Sequence, residues 1–337
     1  MSERTCGACG ASQANATRQR LRTSDGSPVT YSRCVTCGLF NVDPLPTGDQ
    51  IAASYSESYY GLGKTKFPAW LERIRERSAR NAALRVHALR GCKPGEVMDV
   101  GCGSGSFLAA LGVLGHTIVG SEYEGPALER ARRVPAITLH ESDLYEQSFA
   151  PNSFDVITLW HVLEHLPQPA ETLSWCARWL KPDGLLVIEV PNVRSWQARV
   201  FGRNWLHLDP PRHLYQFTPF ALEEMLKRNG FGVRSRETWS FQMGLFGAMQ
   251  SAQNVVLAPR DLFYNLLLSR GSVRASPAKK LVAVVLAALL AVPALLLAAM
   301  EAVAGQGAVL RFFCAPSSVD ARSGQIDSWE VPAQGMR

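Results

Sequence analysis

Short apolar runs alternate with longer amphipathic segments through the middle of the chain. Runs such as GEVMDV and SFDVITLW are as short and apolar as buried strands, whereas SFLAALGVLG and PFALEEMLKRNG carry apolar residues at helical spacing. Strands that alternate with helices at this spacing form parallel βαβ units. The pattern therefore predicts an α/β fold built on a doubly wound parallel sheet.

The most apolar segment is LVAVVLAALLAVPALLLAAM, which covers residues 281–300 and follows the basic residues Arg270, Arg274, Lys279 and Lys280. Twenty apolar residues are long enough to span a bilayer as a helix. However, AVLRFFCA follows and has the pattern of the last strand of the sheet, so the chain must return to the side that it left. Pro293 therefore predicts a break at which the segment folds back as a re-entrant or interfacial hairpin.

These patterns divide the chain into five parts. Residues 241–307 are predicted to be a helical insertion before the last strand that docks on the inner membrane face, and the alternative is a buried helix in a soluble lobe. The predicted parts are a zinc-ribbon-like module at 1–45, the α/β core at 46–240, the insertion at 241–307, the last core strand at 308–316 and a disordered tail at 317–337.

Two C-x-x-C pairs near the N-terminus indicate a structural zinc site. CGACG and CVTCG each end in a glycine, and a hairpin that turns at Asp25-Gly26 separates them. The remaining four of the eight cysteines are scattered, as expected of buried small residues. The predicted zinc ligands are Cys6, Cys9, Cys34 and Cys37.

Composition and charge add few constraints. The chain has 337 residues, 47% of them hydrophobic, and a net charge of +6, which permits an anionic partner without specifying one. Arginines around the cysteine pairs leave nucleic-acid binding open, although a solvated basic face is the commoner explanation. The N-terminus MSERTCGACG lacks the apolar run of a secretory signal. We therefore expect a cytoplasmic protein with reduced thiols that is peripheral on the inner membrane face.

The glycine-rich stretch VMDVGCGSGSF follows the first predicted strand of the core. Gly101, Gly103 and Gly105 alternate rather than following the G-x-G-x-x-G spacing of dinucleotide-binding dehydrogenases. Asp99 precedes them, and its carboxylate would repel a diphosphate but attract an ammonium or sulfonium ion. The spacing therefore argues against a dehydrogenase.

Five motifs in order resemble those of class I S-adenosylmethionine-dependent methyltransferases. They are DVGCGSGSF, IVGSE, ESDL, SFDVITLWHVLEHL and LKPDGLLVIEVPN, and the resemblance covers residues 55–239 and resumes at 308–315. It implies a Rossmann-like methyltransferase sheet and S-adenosylmethionine as the cofactor. The cysteine pairs are followed by the tyrosine-rich linker NVDPLPTGDQIAASYSESYYG. This arrangement resembles the N-terminal part of a bacterial subset of these enzymes.

The resemblance also implies roles for particular residues. The three glycines would approach the methionine part of the cofactor. Glu122 would accept hydrogen bonds from the ribose hydroxyls, and Asp143, beside Leu144, would accept one from the adenine amino group. The predicted cofactor-binding residues are Asp99, Gly101, Cys102, Gly103, Gly105, Glu122, Tyr123, Asp143, Leu144 and Trp160.

Histidines in two loops are candidates for the acceptor side of the site. His161 and His213 are the predicted catalytic residues, because an imidazole titrates near neutral pH and suits general-base catalysis. HVLEHL also resembles a segment of quinone-pathway O-methyltransferases in which acids and a histidine hold a divalent ion. Here His161 replaces the first acid, which disfavours magnesium.

The expected function is methyl transfer from S-adenosylmethionine to a small or lipid-linked acceptor of glycan, quinone or isoprenoid type, with O-methylation favoured. Two alternatives stay open: a non-catalytic scaffold that keeps the fold, and an RNA-directed methyltransferase that uses the zinc ribbon. The sequence indicates no oligomeric state.

Overall fold

The computed structural model describes residues 5–13, 16–22, 27–54, 67–141, 149–268 and 275–317. The predicted tail lies outside these residues apart from Ser317. Within the described residues, the N-terminal part contains three strands and one helix: β1 (Thr17–Arg22), β2 (Pro28–Arg33), β3 (Phe40–Val42) and α1 (Gly48–Ser54).

The first half of the core alternates strands and helices as predicted. Its elements are α2 (Ala69–Leu89), β4 (Glu96–Val100), α3 (Ser106–Val113), β5 (Thr117–Ser121), α4 (Pro126–Ala131), β6 (Ile137–His140), β7 (Phe154–Trp160), α5 (Pro169–Trp179) and β8 (Leu180–Pro191).

The second half carries the insertion. Its elements are α6 (Trp196–Phe201), β9 (Tyr215–Gln216), α7 (Pro219–Arg228), β10 (Phe231–Glu237), α8 (Phe241–Val256), α9 (Leu262–Leu267), α10 (Pro277–Val303) and β11 (Val309–Pro316).

Seven strands form the main sheet in the order β10-β11-β8-β7-β4-β5-β6. The pairs β4–β5, β4–β7, β5–β6 and β7–β8 are parallel, which confirms the predicted α/β fold. Buried residues pack on both faces of the sheet, around Trp179 and Phe217 on one face and Leu108 and Phe313 on the other. Such two-sided burial is what continuous apolar strands require.

One strand departs from the parallel prediction. β11 lies between β10 and β8 and pairs antiparallel with both. Glu237, at the end of β10, pairs with Arg311, near the start of β11, so the chain leaves and re-enters the sheet at the same edge. The insertion between these strands therefore sits at the carboxyl edge, where ligands bind in open α/β sheets.

The predicted break at Pro293 is wrong, because α10 is continuous from Pro277 to Val303. Proline removes one helical hydrogen bond and typically costs about 3 kcal/mol in a helix interior. Packing on both sides of the proline offsets this cost, since Ala287 and Ala294 pack with Ala248 and Met249 of α8.

The two faces of α10 differ in side-chain size. Its buried residues are four alanines and Glu301, whereas large aliphatic residues point outward on the opposite arc. Among the described residues, α10 is the one helix long and apolar enough to span a bilayer. The exposed large residues are Leu281, Val282, Val284, Val285, Leu289, Val292, Leu295, Leu296, Met300 and Val303.

Polar contacts fix the insertion to the core. The Gln197 side chain donates to the buried Glu301 carboxylate at 2.9 Å, and the Trp205 indole donates to Gln197 Oε1 at 3.1 Å. Gly247 of α8 lies against the same cluster, where an added Cβ would lie 2.6 Å from Gln197 Oε1. The close approach of α8 to the core therefore requires glycine at this position.

We expect Gly247→Ala to lower the free energy of unfolding by about 1–3 kcal/mol, because the added methyl group overpacks this buried contact. Gly232→Ala is the matched control, since its nearest neighbour outside the adjacent chain would be Ser317 Oγ at 3.7 Å. Chemical denaturation of both variants measures the difference. Equal stability of the two variants would contradict the packing of α8 described above.

Candidate active site

The glycine loop connects β4 to α3. Gly101, Gly103 and Gly105 all have positive φ angles, of 66°, 58° and 74°. A Cβ on Gly101 would lie 2.6 Å from Val162 Cγ2, and one on Gly105 would lie 2.9 Å from Val134 Cγ2. A Cβ on Gly103 would meet nothing within 4 Å among the described residues. Two glycines thus allow close packing, and the third leaves space that a cofactor can approach.

Asp99 lies beneath this loop in a buried position. Its Oδ1 accepts a hydrogen bond from Thr158 Oγ1 at 2.6 Å. The pKa of Asp99 is raised to about 7. Burial is the main cause and the charge of Glu122 adds to it, whereas the Thr158 hydrogen bond lowers the pKa. A cation bound nearby would favour the ionised carboxylate, which is consistent with the predicted sulfonium ligand.

Glu122 follows β5 and contacts the glycine loop. Its Oε2 accepts the Gly103 N–H at 2.7 Å, and its Oε1 accepts the Tyr123 N–H at 3.1 Å. The structure therefore brings the second predicted carboxylate to the loop, as a nucleotide-binding sheet requires. Asp143 and Leu144 lie outside the described residues.

The other predicted cofactor residues differ in exposure. The Cys102 side chain is buried, and its Sγ would lie 2.8 Å from a Cβ on Gly120, so it packs beneath the loop. Burial raises the pKa of Cys102 well above its usual range and keeps it a thiol. Tyr123 is half exposed. Trp160 packs edge-on against Phe107, with the ring centroids 5.4 Å apart.

His161 follows β7 in a left-handed conformation with φ of 55°. Its N–H donates to the Glu189 carbonyl at 2.8 Å, and its Nε2 lies 2.8 Å from Glu189 Oε1. Its Nδ1 lies 3.5 Å from Glu164 Oε1. Burial alone would lower the pKa of His161, but the contacts with Glu164 and Glu189 raise it to about 10. His161 is therefore an imidazolium at neutral pH and has no lone pair with which to accept a proton.

A network of charges continues from Glu189 across the sheet. Arg311 of β11 donates to Glu189 through Nε at 2.6 Å and to Glu237 through Nη1 at 3.0 Å. Arg85 of α2 also donates to Glu237, at 2.9 Å. The Arg311 guanidinium lies 5.5 Å from the Trp160 ring centroid. These residues were not predicted from the sequence, although a charge inside each of two apolar strands, LLVIEV and VLRFF, is a usable signal.

Glu164, His165 and His213 form a second cluster next to His161. Val162 packs on Gly101, so the segment after β7 that carries Glu164 and His165 lies against the glycine loop. The ligand atoms of the three residues lie within 4.8 Å of one another. Glu164 is completely buried, and neither of its carboxylate oxygens has a hydrogen-bond partner among the described residues. Burial raises the pKa of Glu164, but the contact with His161 and the charges of the surrounding histidines together lower it, so Glu164 is ionised.

Hydrogen bonds define the orientation of the two histidines in this cluster. His213 Nδ1 lies 2.8 Å from the His207 carbonyl, and His165 Nδ1 lies 3.0 Å from the Arg212 carbonyl. A carbonyl only accepts, so each Nδ1 carries a proton, and in the neutral form of each ring the lone pair is on Nε2. His213 Nε2 lies 4.0 Å from Glu164 Oε1. Burial lowers the pKa of His165 to about 4.

The segment that carries His213 is held by both neighbouring modules. His207 Nε2 contacts the Met243 carbonyl of α8 at 3.0 Å, and the Leu206 N–H donates to Ser251 Oγ at 2.8 Å. On the other side, the Tyr31 hydroxyl donates to the His213 carbonyl at 2.7 Å. His207 therefore has a structural contact with α8.

The four N-terminal cysteines converge as predicted. Their sulfur atoms lie within 4.8 Å of one another, with Cys6 and Cys37 at 3.6 Å and Cys9 and Cys34 at 3.7 Å. Gly10 and Gly38, which follow the two pairs, both have positive φ angles. Four thiolates in this arrangement suit a tetrahedral zinc ion.

The magnesium implied by the HVLEHL resemblance does not fit this donor set. Magnesium prefers oxygen ligands in octahedral geometry, whereas this cluster offers two imidazoles and one carboxylate. His161, which takes the place of the first acid, is a cation bound to Glu189. The chemistry of the residues present therefore disfavours magnesium.

Comparisons with known proteins match the core of the chain to methyltransferases. Residues 71–236 match the model of a family described as a methyltransferase domain. The chain is 32% identical over 145 residues to a ubiquinone biosynthesis O-methyltransferase of Thiobacillus denitrificans, which covers 40% of this chain and 61% of that protein. It is 28% identical over 143 residues to a probable S-adenosylmethionine-dependent methyltransferase of Mycolicibacterium smegmatis, which covers 42% of this chain and 54% of that protein.

A putative sarcosine dimethylglycine methyltransferase from Galdieria sulphuraria aligns with a TM-score of 0.49 and 16% identity, over 80% of this chain and 98% of that one. The chain spans about six-tenths of the length of the curated relatives that it matches. The match over residues 71–236 and these relatives support a class I S-adenosylmethionine-dependent methyltransferase domain in this chain.

Proposed function

We propose that this protein transfers a methyl group from S-adenosylmethionine to a hydroxyl group of a lipid-linked, quinone-type acceptor. The observation that carries the proposal is the cluster of Glu164 and His213 beside the glycine loop, which places proton-accepting groups where an acceptor would approach. The named ubiquinone biosynthesis O-methyltransferases among the relatives favour a phenolic hydroxyl over a sugar.

Bound S-adenosylmethionine supplies the methyl group and a neutral thioether leaving group. On the cofactor side, we assign Asp99 to support of the glycine loop and Glu122 to the ribose hydroxyls. The acceptor side then needs a group that removes the hydroxyl proton as its oxygen attacks the methyl carbon. His213 fits this role, because its Nε2 carries a lone pair and Glu164 stabilises the imidazolium that forms.

His161 has a different proposed role from the predicted base. Its fixed positive charge, held by Glu189 and Glu164, favours the developing phenolate oxygen. His161 thereby acts electrostatically, and His213 accepts the proton. A non-catalytic scaffold and an RNA-directed enzyme are the competing functions.

His213→Gln should lower methyl transfer by about a hundredfold or more, the usual contribution of a general base. His161→Gln should also lower the rate of methyl transfer. The fall of that rate toward acidic pH should remain, because it reports protonation of the proton acceptor. The assay uses tritiated S-adenosylmethionine and a prenylated catechol in mixed micelles, and His87→Gln, on α2, is the control.

Calorimetry with S-adenosylhomocysteine separates the competing functions. Binding that is unchanged in the histidine variants would show that the cofactor side is intact. No binding by the wild-type protein would favour the scaffold, and label in added RNA rather than catechol would favour the RNA-directed enzyme. Full activity of His213→Gln would remove His213 as the base.

We further propose that Cys6, Cys9, Cys34 and Cys37 hold a structural zinc ion. All four side chains come from two short loops whose position depends on the metal, because a bare cluster of thiols gives little packing energy. We expect one zinc per chain in the purified wild-type protein and less than about a tenth of that in Cys34→Ser. Elemental analysis measures both, and Cys92→Ser, at an exposed cysteine outside the cluster, is the control. A folded wild-type protein without metal would contradict the site.

The insertion, residues 241–307, is our proposed membrane contact. Helices in water bury their large side chains, whereas α10 buries alanines and exposes leucines and valines, as membrane-facing helices do. Lys279, which is exposed, lies at its N-terminal end and can contact anionic headgroups. Since the insertion leaves the sheet at its carboxyl edge, docking would bring the active site to a lipid-borne acceptor. The protein would then be cytoplasmic and peripheral on the inner membrane face.

A double variant, Leu289→Glu with Val292→Glu, should reduce flotation with vesicles of three parts phosphatidylcholine to one part phosphatidylglycerol by about tenfold or more, because it places charges in the exposed apolar arc. Val113→Glu is the control, since Val113 is 88% exposed on α3, outside the insertion. Raised salt should weaken wild-type binding. Wild-type protein that stays entirely unbound at low salt would support the buried-helix alternative instead.

A further inference from the structure

A tyrosine of the N-terminal ribbon contacts the acceptor side of the site. Tyr31 lies on β2 and is 1% exposed, and its hydroxyl donates to the main-chain carbonyl of His213 at 2.7 Å. We propose that Tyr31 is a positioning residue for His213, so that the ribbon is part of the methyl-transfer site. This inference rests on the proposed function, in which His213 accepts the proton of the acceptor.

The loop of residues 207–213 has separate anchors at its two ends. At its start, His207 Nε2 contacts the Met243 carbonyl of α8 at 3.0 Å. Gln216 Nε2 donates to the Leu208 carbonyl at 2.9 Å. At its end, the Tyr31 hydroxyl holds the carbonyl of His213. The ribbon therefore anchors the end of the loop that carries the proposed proton acceptor.

The ring of His213 depends on both ends of this loop. Its Nδ1 donates to the His207 carbonyl at 2.8 Å, so the bond that orients the ring joins the end of the loop to its start. Movement of the His213 end would lengthen this bond and turn Nε2 away from its present direction. Misplacement of a reacting group by about 1 Å can cost about a hundredfold in rate. The Tyr31 anchor therefore affects the direction of the lone pair as well as the backbone.

The tyrosine hydroxyl is suited to this role because its charge state is constant. Burial raises the pKa of Tyr31 well above its usual range, so the hydroxyl keeps its proton at neutral pH. A buried hydroxyl that lost its acceptor would cost free energy, since it has been removed from water. The contact with the carbonyl of His213 therefore persists over the pH range in which an imidazole gains or loses a proton.

Other contacts attach the ribbon to the core without the Tyr31 hydroxyl. Thr218 Oγ1 donates to the Cys37 carbonyl at 2.8 Å, and Arg228 Nη1 donates to the Cys9 carbonyl at 2.9 Å. Strand β3 also pairs with β9. Removal of one hydroxyl leaves these contacts in place, so the ribbon should stay docked on the core. The effect of Tyr31 on His213 can therefore be measured separately from ribbon docking.

Tyr31→Phe, in the full-length protein, removes the hydroxyl and keeps the ring. We expect the kcat for methyl transfer to a prenylated catechol to fall by about tenfold or more, because the proton acceptor loses its alignment. The dissociation constant of S-adenosylhomocysteine should change by less than about threefold, because the lost contact lies on the acceptor side. Arg228→Gln is the matched control, since it removes a ribbon–core hydrogen bond away from this loop and should keep the wild-type kcat.

The nitrogen chemical shifts of the His213 ring give a measurement that does not depend on catalysis. They distinguish a proton on Nδ1 from one on Nε2, and comparison with His213→Gln assigns the signals. At mildly alkaline pH, we expect the neutral wild-type ring to carry its proton on Nδ1, bonded to the His207 carbonyl. Tyr31→Phe should give a mixture of both tautomers, because this bond weakens when the end of the loop moves.

The proposal is overturned if Tyr31→Phe keeps the wild-type kcat or if its His213 ring keeps the wild-type tautomer. It is also overturned if Arg228→Gln lowers kcat as much, or if binding of S-adenosylhomocysteine falls as far as kcat, since either result indicates a general loss of structure. Failure of the proposed function is recognised separately, by full activity of His213→Gln or by the absence of methyl transfer in the wild-type protein. In those cases the tautomer of His213 still shows whether Tyr31 positions the ring.

Discussion

The two main-chain hydrogen bonds of Leu214 join the N-terminal ribbon to the active-site segment. Its N–H donates to the Glu164 carbonyl at 2.8 Å, and its carbonyl accepts the Val42 N–H at 2.9 Å. The next two residues, Tyr215 and Gln216, form β9 and pair with β3, so the core contributes a strand to the ribbon sheet. The position of His213 is thereby set by the ribbon as well as by the core. Backbone contacts therefore connect the ribbon to the acceptor side.

The reversed strand β11 has a comparable effect on the opposite module. A parallel last strand would require the chain to cross to the amino edge before re-entering the sheet. Because β11 runs antiparallel, the insertion begins and ends at the carboxyl edge, beside the glycine loop and the histidines. The segment of residues 206–218 then lies between α8, which contacts His207, and the ribbon, which contacts His213. Both appended modules therefore act on one loop.

Much of the fold could be predicted from local patterns. The strand–helix alternation, the glycine loop and the cysteine pairs depend on residues close together in the chain, and the structure contains all three. The direction of β11 could not be predicted, because it depends on which edge the insertion occupies. The continuity of α10 through Pro293 depends on packing against α8, about 45 residues away in sequence. The charge state of His161 likewise depends on Glu189, which lies on another strand, as well as on Glu164 within the pattern, so the HVLEHL pattern alone suggested a base.

The electrostatic balance of the site follows from that same long-range network. The charges alternate in sign from α2 to the end of β7, so each charged side chain has an opposite neighbour. In order, they are Arg85, Glu237, Arg311, Glu189 and His161. This alternation stabilises the His161 imidazolium, because the neighbouring opposite charges offset the cost of removing it from water. Because His161 holds its proton in this network, it does not compete for the one that the acceptor releases. The proposed reaction therefore assigns proton acceptance to His213, whose ring is oriented by the contact of its Nδ1 with the carbonyl of His207.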